Sequence, residues 1–127
     1  MSKYILDASA ILALLDNEPG ANHVLAIITD SVIGTLNLGE AYSKLAERGR
    51  DGQQALAEIV SACAGLHSFS QAQAAITGEL RPITSHAGLS FGDRACLALA
   101  IDLGAEAYTA ERNWRRVPVP CPLHFIR

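Results

Sequence analysis

The 127-residue sequence is poor in the features that mark several large protein classes. It has three cysteines, Cys63, Cys96 and Cys121, an odd number, widely spaced and without a C-x-x-C pair. That argues against a disulfide framework or a zinc knuckle and for small apolar residues in a reducing compartment. The four histidines are scattered, and no H-E-x-x-H is present. Charged residues are only 18% of the chain, below the usual roughly 25%, and half the residues are apolar, which excludes a disordered, self-repelling polypeptide. The net charge of −3 excludes a polycation that coats nucleic acid, although a local basic patch would still suffice for binding. No apolar run approaches the roughly 18 residues of a membrane span; the longest, Phe91 to Leu103, is broken by Asp93, Arg94 and Asp102. The apolar run Tyr4-Ile5-Leu6 meets Asp7 almost at once, unlike the apolar region of a signal peptide. These absences lead to the expectation of a cytoplasmic protein with no membrane association. The length suits one domain over residues 1–127 and is too short for a barrel of eight strand–helix units, which needs roughly 200 residues or more.

What is there alternates. Tyr4–Leu6 suits a buried strand, and Ala8–Leu15, apolar nearly all round, a buried helix. Asp16 to Gly20 is a breaker cluster. Helical spacing follows in Ala21, Val24, Leu25 and Ile28, and a strand pattern in Ser31–Gly34. Leu38, Ala41, Tyr42, Leu45 and Ala46 mark a helix stopped by Gly49, and Leu56, Ile59, Val60 and Cys63 another. A short strand is expected at Leu66–Phe69, and a helix at Gln71–Leu80 that Arg81-Pro82 perturbs or ends. The strongest helix is Ser90–Leu103, closed by Gly104, and Ala105–Thr109 follows as a strand. Glu111–Arg115 suits one helical turn, and the proline-bearing tail runs extended to Phe125-Ile126. Strands alternating with helices imply crossover connections: an α/β fold of three layers with a mostly parallel sheet.

Four acids share one context. Asp7, Glu40, Asp93 and Glu111 each stand where a strand or loop hands over to a helix. Capping offers a structural account of some of them, since Asn37 with Glu40, and Ser90 with Asp93, have capping-box spacing. Asp7 is the hardest to explain this way, because an acid between a buried strand and a buried helix has little water to face unless a cleft lies there. In an open parallel sheet, residues after strand ends gather at the edge where ligands bind. Clustered carboxylates raise one another's pKa values, and a hard divalent ion, Mg²⁺ or Mn²⁺, relieves the repulsion. Such clusters activate water for phosphodiester displacement.

The segments Leu6-Asp7-Ala8-Ser9-Ala10, Asn37-Leu38-Gly39-Glu40, Leu89 to Ala100 and Thr109-Ala110-Glu111-Arg112-Asn113-Trp114 occur in an order that resembles the PIN domain, specifically the VapC-type toxin ribonucleases of bacterial toxin–antitoxin pairs. The resemblance implies a PIN-like fold with a five-stranded sheet flanked by helices. It implies a Mg²⁺- or Mn²⁺-dependent endoribonuclease acting on RNA, a homodimer and a VapB-type antitoxin partner. It marks Asp7, Glu40, Asp93 and Glu111 as catalytic and metal-holding acids, with Ser9 and Thr109 donating hydrogen bonds near the scissile phosphate and Asn37 among the substrate-binding residues of the same site. One departure is Glu111, which stands where the family pattern carries Asp. Arg94 and Arg112 are expected to contact substrate phosphates, as are Arg115, Arg116, Lys44 and Arg48. Trp114 is assigned to packing under the last strand rather than to base stacking.

Two other readings are set beside this one. A PIN-like domain that binds RNA or protein without cleaving would fit Glu111. A serine hydrolase would use Gly88-Leu89-Ser90-Phe91-Gly92 as a G-x-S-x-G elbow with Asp102 and His124, but no convincing strand precedes it.

Overall fold

The computed structural model describes residues 3–127. Five strands form one sheet: β1 (Tyr4–Leu6), β2 (Ser31–Gly34), β3 (Gly65–His67), β4 (Glu106–Thr109) and β5 (Leu123–Phe125). Every pairing is parallel, and the order is β3-β2-β1-β4-β5. The chain builds outward from β1 through β2 to β3, then crosses to the other side of β1 for β4 and β5. The order therefore reverses between β1 and β4, which opens a crevice at the carboxyl ends of those two strands.

Helices cover both faces: α1 (Ala8–Leu15), α2 (Ala21–Ile27), α3 (Thr35–Glu47), α4 (Gln53–Ala62), α5 (Gln71–Glu79), the short α6 (Arg81–Thr84) and α7 (Phe91–Leu103). The alternation of strand side chains assigns the two cores. Leu6 and Ile33 face a cluster with Ile11, Val24, Leu45 and Leu56 from α1 to α4. Ile5, Val32 and Ala107 face the opposite cluster with Leu97, Leu99 and Trp114. Each fully buried Leu or Ile contributes about 1.5–3 kcal/mol, so packing on the sheet, more than helix propensity, holds these short helices. Trp114 is fully buried, as its packing assignment requires.

Several boundaries differ from the sequence pattern for local reasons. Helix α3 begins at Thr35, directly after β2, with Gly34 as a cap that offers no side chain. Asn37 is therefore inside the helix and does not cap it. Pro82 does not stop the chain from turning helically again, because it sits in the first turn of α6, where its missing N–H costs nothing. Helix α7 does carry a reciprocal capping box between Ser90 and Asp93, and ends on Gly104 in the left-handed conformation (φ 63°). The three cysteines are free thiols. Among the described residues no helix is long and apolar enough to cross a membrane.

The hydrolase elbow does not form. Residues Ser85–Ala87 before Gly88 are a 3₁₀ turn rather than a strand, and the Ser90 hydroxyl accepts the Asp93 N–H as a helix cap. Asp102 accepts from Gln73, and His124 pairs with Glu106, so neither serves Ser90.

Candidate active site

The carboxyl edge of the sheet holds a cleft of about 500 Å³ lined by Asp7, Glu40, Asp93 and Glu111, with Ser9, Glu18, Lys44, Arg48, Asn113 and Arg127 among its other walls. Topology explains the gathering. Asp7 follows β1 and Glu111 follows β4, while Glu40 lies in the second turn of α3, the helix that leaves β2. Asp93 is in the first turn of α7, which runs back along the sheet and starts at this same edge.

Asp7 is the N-cap of α1 and is buried (3% exposed). Its Oδ1 accepts the Ala10 N–H at 2.8 Å, and its Oδ2 accepts the Thr109 hydroxyl at 2.6 Å. The Ser9 hydroxyl reaches both oxygens, at 2.7 and 2.9 Å. Each hydroxyl spends its one proton on Asp7 and accepts a backbone N–H in turn: Ser9 from Ala110 at 2.8 Å, Thr109 from Glu111 at 2.9 Å. This corrects the expectation that Ser9 and Thr109 donate to substrate. They hold Asp7 and join the start of α1 to the end of β4. Burial nevertheless dominates and pushes the Asp7 carboxyl from an ordinary 3.8 up to about 7; the three hydrogen bonds oppose the rise, and the charge on Asp93 adds to it.

Glu40 is also held. Asn37 Nδ2 donates to Glu40 Oε1 at 2.8 Å and to the Gly92 carbonyl at 3.0 Å, tying α3 to the first turn of α7. Burial raises the Glu40 pKa, with Asp93 and Glu111 adding to the rise and Asn37 and Lys44 opposing it. Asn37 is buried (2% exposed) and both its donated bonds are internal, so it positions Glu40 rather than binding substrate. Asp93 Oδ2 accepts the Ser90 N–H at 2.8 Å, so its capping and cleft-lining roles coexist.

Arg94 is not at the site. One residue past Asp93 on a helix is a turn of about 100°, and it sends Arg94 into the α5–α7 interface. There it is buried, its Nη1 donates to the Thr77 carbonyl at 2.9 Å, and its guanidinium lies 5.6 Å from the Phe91 ring centre. Arg112 is exposed on the 3₁₀ turn Arg112–Arg116 and does not line the cleft. Arg115 lies over the Phe125 ring at 4.5 Å. The cleft's basic residues are instead Lys44 and Arg48, one turn apart on α3, together with Arg127.

Three participants escaped the sequence reading. Glu18 belongs to the Asp16–Gly20 breaker, whose role as a wall arises only from tertiary contact: Arg48 pairs with Asp16 at 2.7 Å, and Arg127 with Glu18 at 3.2 Å. Arg127 itself gave no signal. Gly92, in the first turn of the strongest helix, was a visible anomaly in a helix-favouring segment.

The donor set is all carboxylate oxygen, which fits a hard divalent ion. Among the described residues no three acids, histidines or cysteines converge closely enough to ligate one ion together. An ion such as Mg²⁺ keeps several waters and takes one or two carboxylates directly, so these acids would hold it partly through water.

The PIN domain family model matches residues 4–120. The chain belongs to the PIN domain family. Solved structures with the same fold include a VapBC2 complex of Rickettsia felis bound to a promoter DNA fragment (20% identity, TM-score 0.76, covering 95% of this chain and 96% of that one). A DNA-bound VapBC complex of Salmonella typhimurium is similar at 19% identity and TM-score 0.77, with both chains fully covered. The VapC20 toxin of Mycobacterium tuberculosis, described as cleaving the sarcin-ricin loop, is similar at 16% identity and TM-score 0.72, covering 89% and 93%. A search of curated protein sequences gave no match. At these identities the structural likenesses establish the shared fold alone.

Proposed function

We propose that this PIN domain, acting as one unit over residues 1–127, is a divalent-metal-dependent endoribonuclease and the toxin half of a VapBC-type pair in the cytoplasm. The observation that carries this reading is the convergence of Asp7, Glu40, Asp93 and Glu111 on one cleft, with Asp7 buried and its proton affinity raised. An uncompensated cluster of this kind is costly in an inert surface and useful where a cation must be held.

Asp7, Glu40 and Asp93 are the residues that would hold Mg²⁺ or Mn²⁺, directly or through water. A bound ion supplies charge neutralisation at the phosphate and lowers the pKa of an attacking water. Ser9 and Thr109 fix the Asp7 carboxylate so that it does not reorganise as charge develops. Asn37 does the same for Glu40. Glu111, exposed at the rim, orients water at the mouth of the cleft. Lys44 lines the cleft and would take a phosphate flanking the cut, whereas Arg48, also at the wall, is held by Asp16. Arg112 lies outside it, so any contact it makes is with RNA running past the rim.

A protein partner is supported by an apolar groove of about 290 Å³ lined by Leu14, Leu15, Leu25, Ile28 and Ile59, in which Leu25 is 60% exposed. With the VapBC assemblies among similar structures, this surface suits a VapB-type antitoxin. The homodimer is part of the same proposal.

The deciding experiment incubates total bacterial RNA with the purified protein in Mg²⁺, Mn²⁺ or EDTA, beside Asp7→Ala. Metal-dependent cutting that vanishes in the variant is expected. Metal binding with no cutting would favour a PIN-like domain that binds RNA or protein without cleaving it.

A further inference from the structure

The absence of a side chain at Gly92 has a specific tenant. A Cβ built on Gly92 overlaps the Glu40 carboxylate, both oxygens and the carboxyl carbon included. Asn37 then closes a three-part clamp, donating one amide proton to Glu40 Oε1 at 2.8 Å and the other to the Gly92 carbonyl at 3.0 Å. The second of these bonds ties the Gly92 backbone to α3 and so opposes retreat of α7 from Glu40. The Glu40 carboxylate therefore lies in a space that exists only while residue 92 lacks a side chain.

We propose that Gly92 is a positioning residue for the cleft: its bare Cα is the seat of the Glu40 carboxylate, and any side chain there ejects Glu40 from the metal-holding set. This inference rests on the nuclease reading for its functional consequence, but not for its geometry. Folding does not require glycine at this position. Gly92 has an ordinary helical backbone, with no left-handed φ, and alanine is the better helix former. The overlapping atoms are the far end of a flexible side chain, which swings away more cheaply than the helices part. Gly92→Ala is thus expected to change the melting temperature little, the gain in helix propensity offsetting the acceptor that the Asn37 amide loses, while weakening metal binding. A merely structural role for Gly92 would move both in the same direction.

The test compares the full chain with Gly92→Ala, Glu40→Ala and the double variant. Mn²⁺ affinity is measured by calorimetry, thermal melting without metal, and the Asn37 side-chain amide by ¹H–¹⁵N spectra of the metal-free protein. Gly92→Ala should lose about 10–100-fold in Mn²⁺ affinity, the range for losing an orienting partner of a ligand. In the Glu40→Ala background the same change should cost nothing further, because its only target is gone. The Asn37 amide resonances should shift in Gly92→Ala as their Glu40 acceptor leaves. Unchanged Mn²⁺ affinity in Gly92→Ala, or equal losses in both backgrounds, would overturn the proposal. If the wild-type chain binds no Mn²⁺, the nuclease reading fails, and the amide spectrum alone decides this one: an unmoved Asn37 signal refutes the seat.

Discussion

Thr109 donates its hydroxyl proton to Asp7 Oδ2 at 2.6 Å across 102 positions of sequence. The bond is buried, and it is one of three that oppose the rise in the Asp7 pKa. Removing it in Thr109→Val leaves a buried carboxylate one donor short, at a cost of about 1–3 kcal/mol at neutral pH. The Asp7 pKa should rise further, so the acid limb of the cleavage pH profile should move to higher pH. A profile that superimposes on wild type would remove Thr109 from the support of Asp7.

Stability should depend on pH in a direction unusual for a carboxylate. The folded-state pKa of Asp7, about 7, lies above its ordinary 3.8, so between those values the folded chain holds a proton that the unfolded chain releases. Metal-free stability should therefore fall as pH rises from about 4 to about 7, by as much as on the order of 4 kcal/mol from this group. Asp7→Asn should flatten that part of the denaturation profile and be more stable than wild type at pH 8. Urea titrations at pH 5 and pH 8 measure both.

A divalent ion should reverse that instability. Saturating Mg²⁺ or Mn²⁺, at roughly 100 times its dissociation constant, should add about 2.7 kcal/mol and raise the melting temperature, with EDTA restoring the original value. Asp7→Asn should abolish the gain. A melting temperature indifferent to both ions and chelator would argue for a cleft that holds no cation.

Arginine substitutions should divide by location. Arg94→Ala should destabilise the fold by about 1–3 kcal/mol, since it vacates a buried guanidinium site and orphans the Thr77 carbonyl. It should leave the salt dependence of RNA binding untouched. Lys44→Ala should do the opposite: little change in melting, weaker RNA binding, and a salt slope reduced by about one. Binding isotherms at several salt concentrations separate the two.

Glu111 should tolerate shortening better than loss. It lies exposed at the rim, and none of the side-chain hydrogen bonds found among the described residues uses its carboxylate. Glu111→Asp should keep metal-dependent cleavage, whereas Glu111→Ala should lower kcat about tenfold or more with little change in melting. Equal activity in all three would make Glu111 a bystander.

The sequence carried the sheet and the four acids because both depend on local signals. Short apolar runs ended by Asp7 or Gly34 mark strands, and acids at strand-to-helix junctions converge wherever a parallel sheet forms. Its misreadings concern direction rather than position. Arg94 adjoins an acid in sequence but points away from it by helical rotation. Ser9 and Thr109 were placed at the site, yet the fate of a single hydroxyl proton is fixed by neighbours a hundred residues distant. Asn37 and Glu40 have cap spacing, but β2 runs straight into α3 and moves the helix start upstream. The Glu18 wall and the Gly92 seat are tertiary properties, set by which surfaces meet.

The central place of β1 carries a consequence for the integrity of the cleft. Its second neighbour, β4, is about a hundred residues further along the chain. Until Thr109 and Glu111 dock beside β1, Asp7 has neither its hydroxyl partner nor the far wall of its cleft. No local segment of the chain therefore contains the acid cluster, which comes into being only with long-range strand pairing. Any opening that parts β1 from β4 takes the cleft apart with it.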